Sequence, residues 1–138
     1  MLPLNGIKVV ELAQNLSGPY ACQILATMGA DVVKIERPKG GDDARYWGQQ
    51  LTPDASHLFH AVNYNKRSVS VDLTDRDAIA WLKNLIAESD VLIQNLRPGV
   101  VEDHRPRRDD AACGQPTPDL LLPVGFRQYR SDEDEAGL

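Results

Sequence analysis

Few residues in this chain could do chemistry, and they fall into small groups. Lys34, Arg37 and Lys39 follow one apolar run, and Lys66 and Arg67 precede another. Guanidinium and ammonium groups gathered at neighbouring strand ends can hold an anionic ligand. Spacing alone is met more simply by solvated charges at strand ends. Ser17-Gly18-Pro19 opens a helical stretch, and the free amides of a helix N-terminus attract carbonyl or phosphate oxygens. The G-x-G-x-x-G fingerprint is absent from that turn, which argues against NAD or FAD. His57 and His60 lie three apart beside Phe59. With no third ligand at a telling spacing, they are expected as loop or surface residues and no metal is expected. Cys22 and Cys113 fit no redox or metal spacing and are expected to be small buried or incidental residues. Trp47 and Trp81 are expected to pack. No nucleophile–base pair suited to acyl transfer stands out.

The elements that must position these groups follow from periodicity. Ile7, Val9, Val10 and Leu12 form a short apolar run suited to a buried strand over Lys8–Leu12. Ser17 is expected to cap the next helix, with Pro19 tolerated in its first turn. Ala21, Ile24, Leu25 and Met28 lie at helical spacing and are expected to cover a sheet. Gly29 stands where a left-handed helix stop is wanted. Val32, Val33 and Ile35 form a second strand, completing a strand–helix–strand unit of the kind that builds parallel sheets. Lys39 to Ala55, rich in Gly, Asp and Pro, is expected as a long surface loop. Ser68–Leu73 alternates as a third strand. Thr74 with Asp77 resembles a capping box before a helix that buries Ile79, Leu82, Leu85 and Ile86, with Trp81 on its flank. Val91–Ile93 is a further strand, closed by the turn Asn95 to Gly99. The expected fold is α/β, a Rossmann-like parallel sheet flanked by helices and incomplete within this chain.

Bulk properties bound the function. A chain of 138 residues with 42% hydrophobic and 25% charged residues suits one soluble domain with a modest core. A formal net charge of -5 argues against nucleic acid as a partner, because phosphate neutralisation needs clustered Lys and Arg. No run approaches the roughly 20 apolar residues of a membrane span, and Met1 to Gly6 lacks the features of a signal peptide. No membrane association and a reduced, cytoplasmic setting are therefore expected.

Three strings carry a family likeness: PLNGIKVVELAQNLSGPYACQILATMGADVVKIERPKGGDDAR, then NYNKRSVSVDL, then DVLIQNLRPGVVED. Together they resemble family III CoA-transferases, the group of formyl-CoA, carnitine and bile-acid CoA-transferases and α-methylacyl-CoA racemase, in order and spacing over residues 3 to 103. The resemblance implies coenzyme A, as an acyl-CoA substrate, and a carboxylic acid acceptor, with no metal. It implies that Arg37 contacts the CoA nucleotide and that Val71, Asp72, Leu73 and Thr74 line adenine and ribose. It places Asn95, Leu96 and Arg97 along the pantetheine arm, and Leu16 and Ser17 near the thioester. Formyl-CoA transferases carry a Gln-Ala pair at that last place, so Leu16 argues against oxalate–formate exchange. The family's aspartate, which forms an acyl anhydride before thioester exchange, has no counterpart assigned in these residues. Family members form interlocked homodimers. Transferase, acyl-CoA racemase of the same fold, and inactive fragment are the three readings that follow.

After Asp103 the character changes. Residues 104 to 138 hold four of the nine prolines, their five basic residues are all Arg, and they contain no Lys, Ile or Asn. Leu120-Leu121-Leu122 is the only apolar run, so no packed element and a disordered tail are expected. Back-translation with one base dropped after Asp103 permits D-I-G-L-G and then N-P-R-L-I-Y-C-S-L-S-G-F-G-N-T-G-P, which resembles the family's continuation. Residues 1–103 are thus expected to be the N-terminal CoA-binding part, and 104–138 a frameshifted, non-native tail. A chain so truncated is expected to be inactive.

Overall fold

A computed structural model describes residues 1–96 and 120–123 of the chain. Its frame is a parallel sheet built from β1 (Lys8–Leu12), β2 (Asp31–Glu36), β5 (Arg67–Ser70), β6 (Val91–Gln94) and β7 (Leu120–Pro123). Their spatial order is β5-β2-β1-β6-β7. The helices are α1 (Ser17–Thr27), α2 (His57–Asn63) and α3 (Arg76–Ala87), with a short hairpin of β3 (Gln50–Thr52) and β4 (Ala55–Ser56) before α2. This is the expected α/β layer.

The period-2 alternation of β1 and β2 sorts their side chains onto two faces. Val10, Leu12, Val33 and Ile35 join Val71, Leu92 and the α3 residues Leu82 and Ile86 on one face. Val9, Val32 and Ile93 join Ala13, Ala30 and the α1 residues Cys22 and Ala26 on the other. Both faces of a parallel sheet must be covered, and these two clusters do so.

Helix α1 buries only part of the expected stripe: Leu25 packs against the core on that face of the sheet. Gly18, Pro19, Cys22 and Ala26 face the sheet, while Ile24 and Met28 are exposed. Small residues let the helix backbone approach closely: a Cβ at Gly18 would lie 2.2 Å from that of Ala13. Hydrophobicity ranked the larger residues as core, whereas close packing selected the smaller ones. Ser17 does not cap the helix; Leu16 holds the N-cap position and no side chain bonds there. Gly29 ends the helix at φ +104°, as expected.

In α3 the capping role falls to Asp75, which accepts from the Asp77 amide. Thr74 instead donates its amide and hydroxyl to Asp72. Leu82 and Ile86 are buried as expected. The segment read as a long loop holds a 3₁₀ turn at Asp43–Tyr46 and the β3–β4 hairpin. His57 and His60 are exposed as expected, but on α2, which is capped by Ser56 accepting from the Phe59 amide at 3.0 Å.

The expectation of no packed element beyond Asp103 fails at one place. Leu120–Pro123 pairs in parallel with β6, with Leu121 opposite Leu92. A three-leucine run is too short for a periodicity test, yet it suits a strand added to an edge that offers unpaired amides and carbonyls.

Candidate functional site

All strands of the main sheet run parallel, so their carboxyl ends share one edge. From β1 the chain builds outward to β2 and β5, then returns to the other side of β1 as β6. Such a reversal opens a crevice at the carboxyl ends, where ligands of doubly wound folds bind. Four segments named from the sequence meet this edge: Leu16 and Ser17 after β1, Arg37 after β2, Val71–Thr74 after β5, and Asn95 and Leu96 after β6.

A cleft of about 230 Å³ lies there. Arg37, Val71, Asp72, Leu73, Thr74 and Leu96 line it, together with Leu12, Gln14, Ile35, Glu36 and Pro38, none of which was expected as a site residue. Leu16 and Ser17 are exposed at the start of α1 and do not line it. Asn95 stands just behind it. Its amide nitrogen donates to the Gln14 carbonyl at 2.6 Å, and its oxygen accepts from the Gln14 amide at 2.8 Å. That reciprocal pair ties the end of β6 to the β1–α1 loop. Arg97 lies outside the described residues.

The two basic groups read from the sequence separate into different roles. Arg37 and Arg67 are exposed ion-pair partners of Asp43 and Asp31. Lys34 and Lys66 are not solvated: their side chains are each 2% exposed. Glu11 and Lys34 sit opposite each other in the β1–β2 register, on the face covered by α1. Lys34 Nζ lies 2.8 Å from Glu11 Oε1 and 2.9 Å from Asp42 Oδ2, and donates to the Ala13 carbonyl at 2.8 Å. Lys66 Nζ donates to Glu11 Oε2 at 2.7 Å, the Pro19 carbonyl at 2.8 Å and Asn63 Oδ1 at 2.9 Å. Asp42 Oδ1 in turn accepts from the amides of Asn15 and Ala44. Two cations and two anions thus close a neutral buried network that fixes the β1–α1 loop, the segment after β2 and the end of α2. A charged residue inside each of two buried strands was the available signal, since such a charge demands a buried partner.

The two lysines of the network differ in their electrostatics. Burial opposes charge on Lys34, but Glu11 and Asp42 outweigh it and raise its pKa. Burial lowers that of Lys66, against the pull of Glu11. Cys22, beside Glu11, is pushed up by burial first and by the carboxylate second, which leaves it an inert thiol. Glu36 follows another pattern. Burial raises its pKa, but hydrogen bonds from Arg45, Ser68 and the Asp42 amide bring it down to about 2. Arg45 grips both its oxygens, at 2.7 and 2.8 Å, and lies 3.9 Å from the centre of the Phe59 ring.

Comparison with known proteins places this arrangement. The profile of CoA-transferase family III matches residues 4–121, past the composition change at Asp103. The chain is 45% identical over 101 residues to succinate–glutarate CoA-transferase of Agrobacterium fabrum, covering 69% of this chain and 25% of that protein. It is 43% identical over 103 residues to the alpha subunit of succinyl-CoA–L-malate CoA-transferase of Chloroflexus aurantiacus, covering 74% of this chain and 24% of that subunit. This chain therefore spans about a quarter of the length of these relatives. A crystal structure of a CAIB/BAIF family protein from Brucella suis superposes with a TM-score of 0.68 at 40% identity, covering 75% of this chain and 28% of that one. One from Mycobacterium tuberculosis reaches 0.75 at 34% identity, covering 90% and 34%.

Proposed function

The chain belongs to CoA-transferase family III, and from that membership we propose that its carboxyl-edge cleft receives the nucleotide end of coenzyme A. The full-length protein would move CoA from an acyl-CoA to a carboxylic acid. One observation carries the proposal: Arg37, Val71–Thr74 and Leu96, from three separate loops, line a single cleft beside the topological reversal. Arg37 supplies a guanidinium for phosphate. The backbone of 71–74 offers amides and carbonyls to the base and ribose. Leu12, Ile35 and Val71 give an apolar wall for the ring. Asn95 acts through the Gln14 backbone, Leu16 and Ser17 are proposed near the thioester, and Arg97 is proposed for the pantetheine arm from the family resemblance.

In the proposed transfer, an aspartyl carboxylate attacks the thioester carbonyl, CoA leaves as thiolate, and a mixed anhydride forms. No residue of these 138 is assigned that role, so the activity proposed for this chain by itself is coenzyme binding without turnover. Succinyl-CoA is the proposed donor, supported by relatives named for succinate–glutarate and succinyl-CoA–malate exchange. A homodimeric parent and a cytoplasmic setting belong to the same proposal. Among the described residues no helix is long and apolar enough to cross a membrane.

The tail is proposed to be read in a shifted frame from about residue 104. The bases for residues 118–122, read in the other frame, then permit L-I-Y-C-S. Sequencing the locus decides it: an early stop and no family sequence in the other frame would refute the shift.

Titration calorimetry of the 138-residue chain with CoA tests the binding. Losing charge-assisted hydrogen bonds to phosphate should weaken binding about 10- to 100-fold in Arg37→Ala. Absence of heat with the unaltered chain, or equal affinity in the variant, refutes the cleft assignment. The in-frame gene assayed with succinyl-CoA plus glutarate or L-malate separates transferase from racemase.

A further inference from the structure

Arg37 leaves the carboxyl end of β2 at a junction. It lines the cleft beside Val71–Thr74 and also a neighbouring groove of about 290 Å³ bounded by Gly40, Gly41, Arg45 and Ser70. Arg45, the other guanidinium there, has both Glu36 oxygens as partners and offers little to a ligand. Arg37 is the remaining guanidinium, and it is already engaged: Nη2 donates to Oδ1 of Asp43 on the 3₁₀ turn. Both side chains are about half exposed, at 50% and 51%. Asp72 adds a negative charge to the cleft and makes no ion pair among the described residues. An anion entering the cleft therefore meets a guanidinium whose charge is already partly satisfied.

We infer that Asp43 is an internal competitor for Arg37, and that it sets how tightly the cleft holds phosphate-bearing ligands. The inference rests on the assignment of this cleft to the CoA nucleotide. Asp43 engages one nitrogen of a group with five N–H donors, and an exposed pair of this kind is weak and screened by salt. An incoming phosphate can share or displace it. Removing the carboxylate charge should therefore tighten phosphate binding by about two- to five-fold, the range an exposed pair allows. An uncharged ligand should not notice the change.

Calorimetry with CoA and with adenosine, on the full chain and on Asp43→Asn, Arg37→Ala and the double variant, tests this. The expected result is two- to five-fold tighter CoA binding in Asp43→Asn, lost in the Arg37→Ala background and at high salt, with adenosine unaffected. Asp43→Ser should reproduce it, and both variants should melt with the parent because the pair is exposed. If Arg37→Ala weakens CoA but Asp43→Asn leaves it unchanged or weaker, Asp43 is not a competitor while the cleft assignment stands. An equal gain with Arg37 absent also overturns the competition, leaving a general field effect. If CoA does not bind, or binds Arg37→Ala as well as the parent, the cleft assignment falls and the role of Asp43 with it.

Discussion

Replacing Lys34 by methionine removes one ammonium from the buried network while keeping most of its volume. Three contacts vanish at once: Glu11 at 2.8 Å, Asp42 at 2.9 Å and the Ala13 carbonyl at 2.8 Å. Glu11 keeps Lys66, but Asp42, whose side chain is fully buried, loses the lysine opposite Oδ2. Breaking a buried pair from one side costs about 3–5 kcal/mol, because it leaves an uncompensated buried charge. That is a large share of the roughly 5–15 kcal/mol available to a domain. Adding Asp42→Asn to Lys34→Met removes the stranded charge, so the double variant should be less destabilised than the sum of the singles, by about 1–3 kcal/mol. Urea unfolding followed by circular dichroism gives each value. A loss under about 1 kcal/mol for Lys34→Met, the range of exposed pairs, would refute the buried network. Additivity within about 0.5 kcal/mol would refute the coupling to Asp42.

Two further outcomes follow from the same geometry. Glu36 titrates near 2 in the fold against an ordinary 4.5, so it stabilises above pH 4.5 and that contribution is lost as pH falls towards 2, on the order of 3 kcal/mol. Glu36→Gln should flatten this part of the stability–pH curve, and an unchanged slope in urea titrations between pH 5 and 2.5 would contradict the assignment. Cys22, buried and held protonated, should resist alkylation by iodoacetamide in the native chain and react fully in urea. Mass spectrometry on a Cys113→Ser background reads this directly, and fast native labelling of Cys22 would show that α1 does not cover it.

The sequence by itself determined the three central strands and their kind, but not the β3–β4 hairpin or β7, and it set the third strand at Ser68–Leu73 where the fold has Arg67–Ser70. Apolar residues within 8–12, 32–35 and 91–93, separated by helical spacing and Gly29, suit parallel strands buried on both faces. It also determined the family, through three strings in register, and that resemblance pointed to Arg37, Val71–Thr74 and Leu96, which line one cleft although Val71–Leu73 were expected inside a strand that ends at Ser70. Other features depended on distance and packing. Ile24 and Met28 look like core by hydropathy, yet α1 turns Gly18, Cys22 and Ala26 inward because only small side chains permit its approach. Lys34 and Lys66, 32 positions of chain apart and unremarkable as charges, become a buried pair only when β1, β2 and α1 converge on Glu11. Local pattern records what each residue prefers. Which charges share an interior is set by contacts between segments far apart in the chain, and only the tertiary structure decides them.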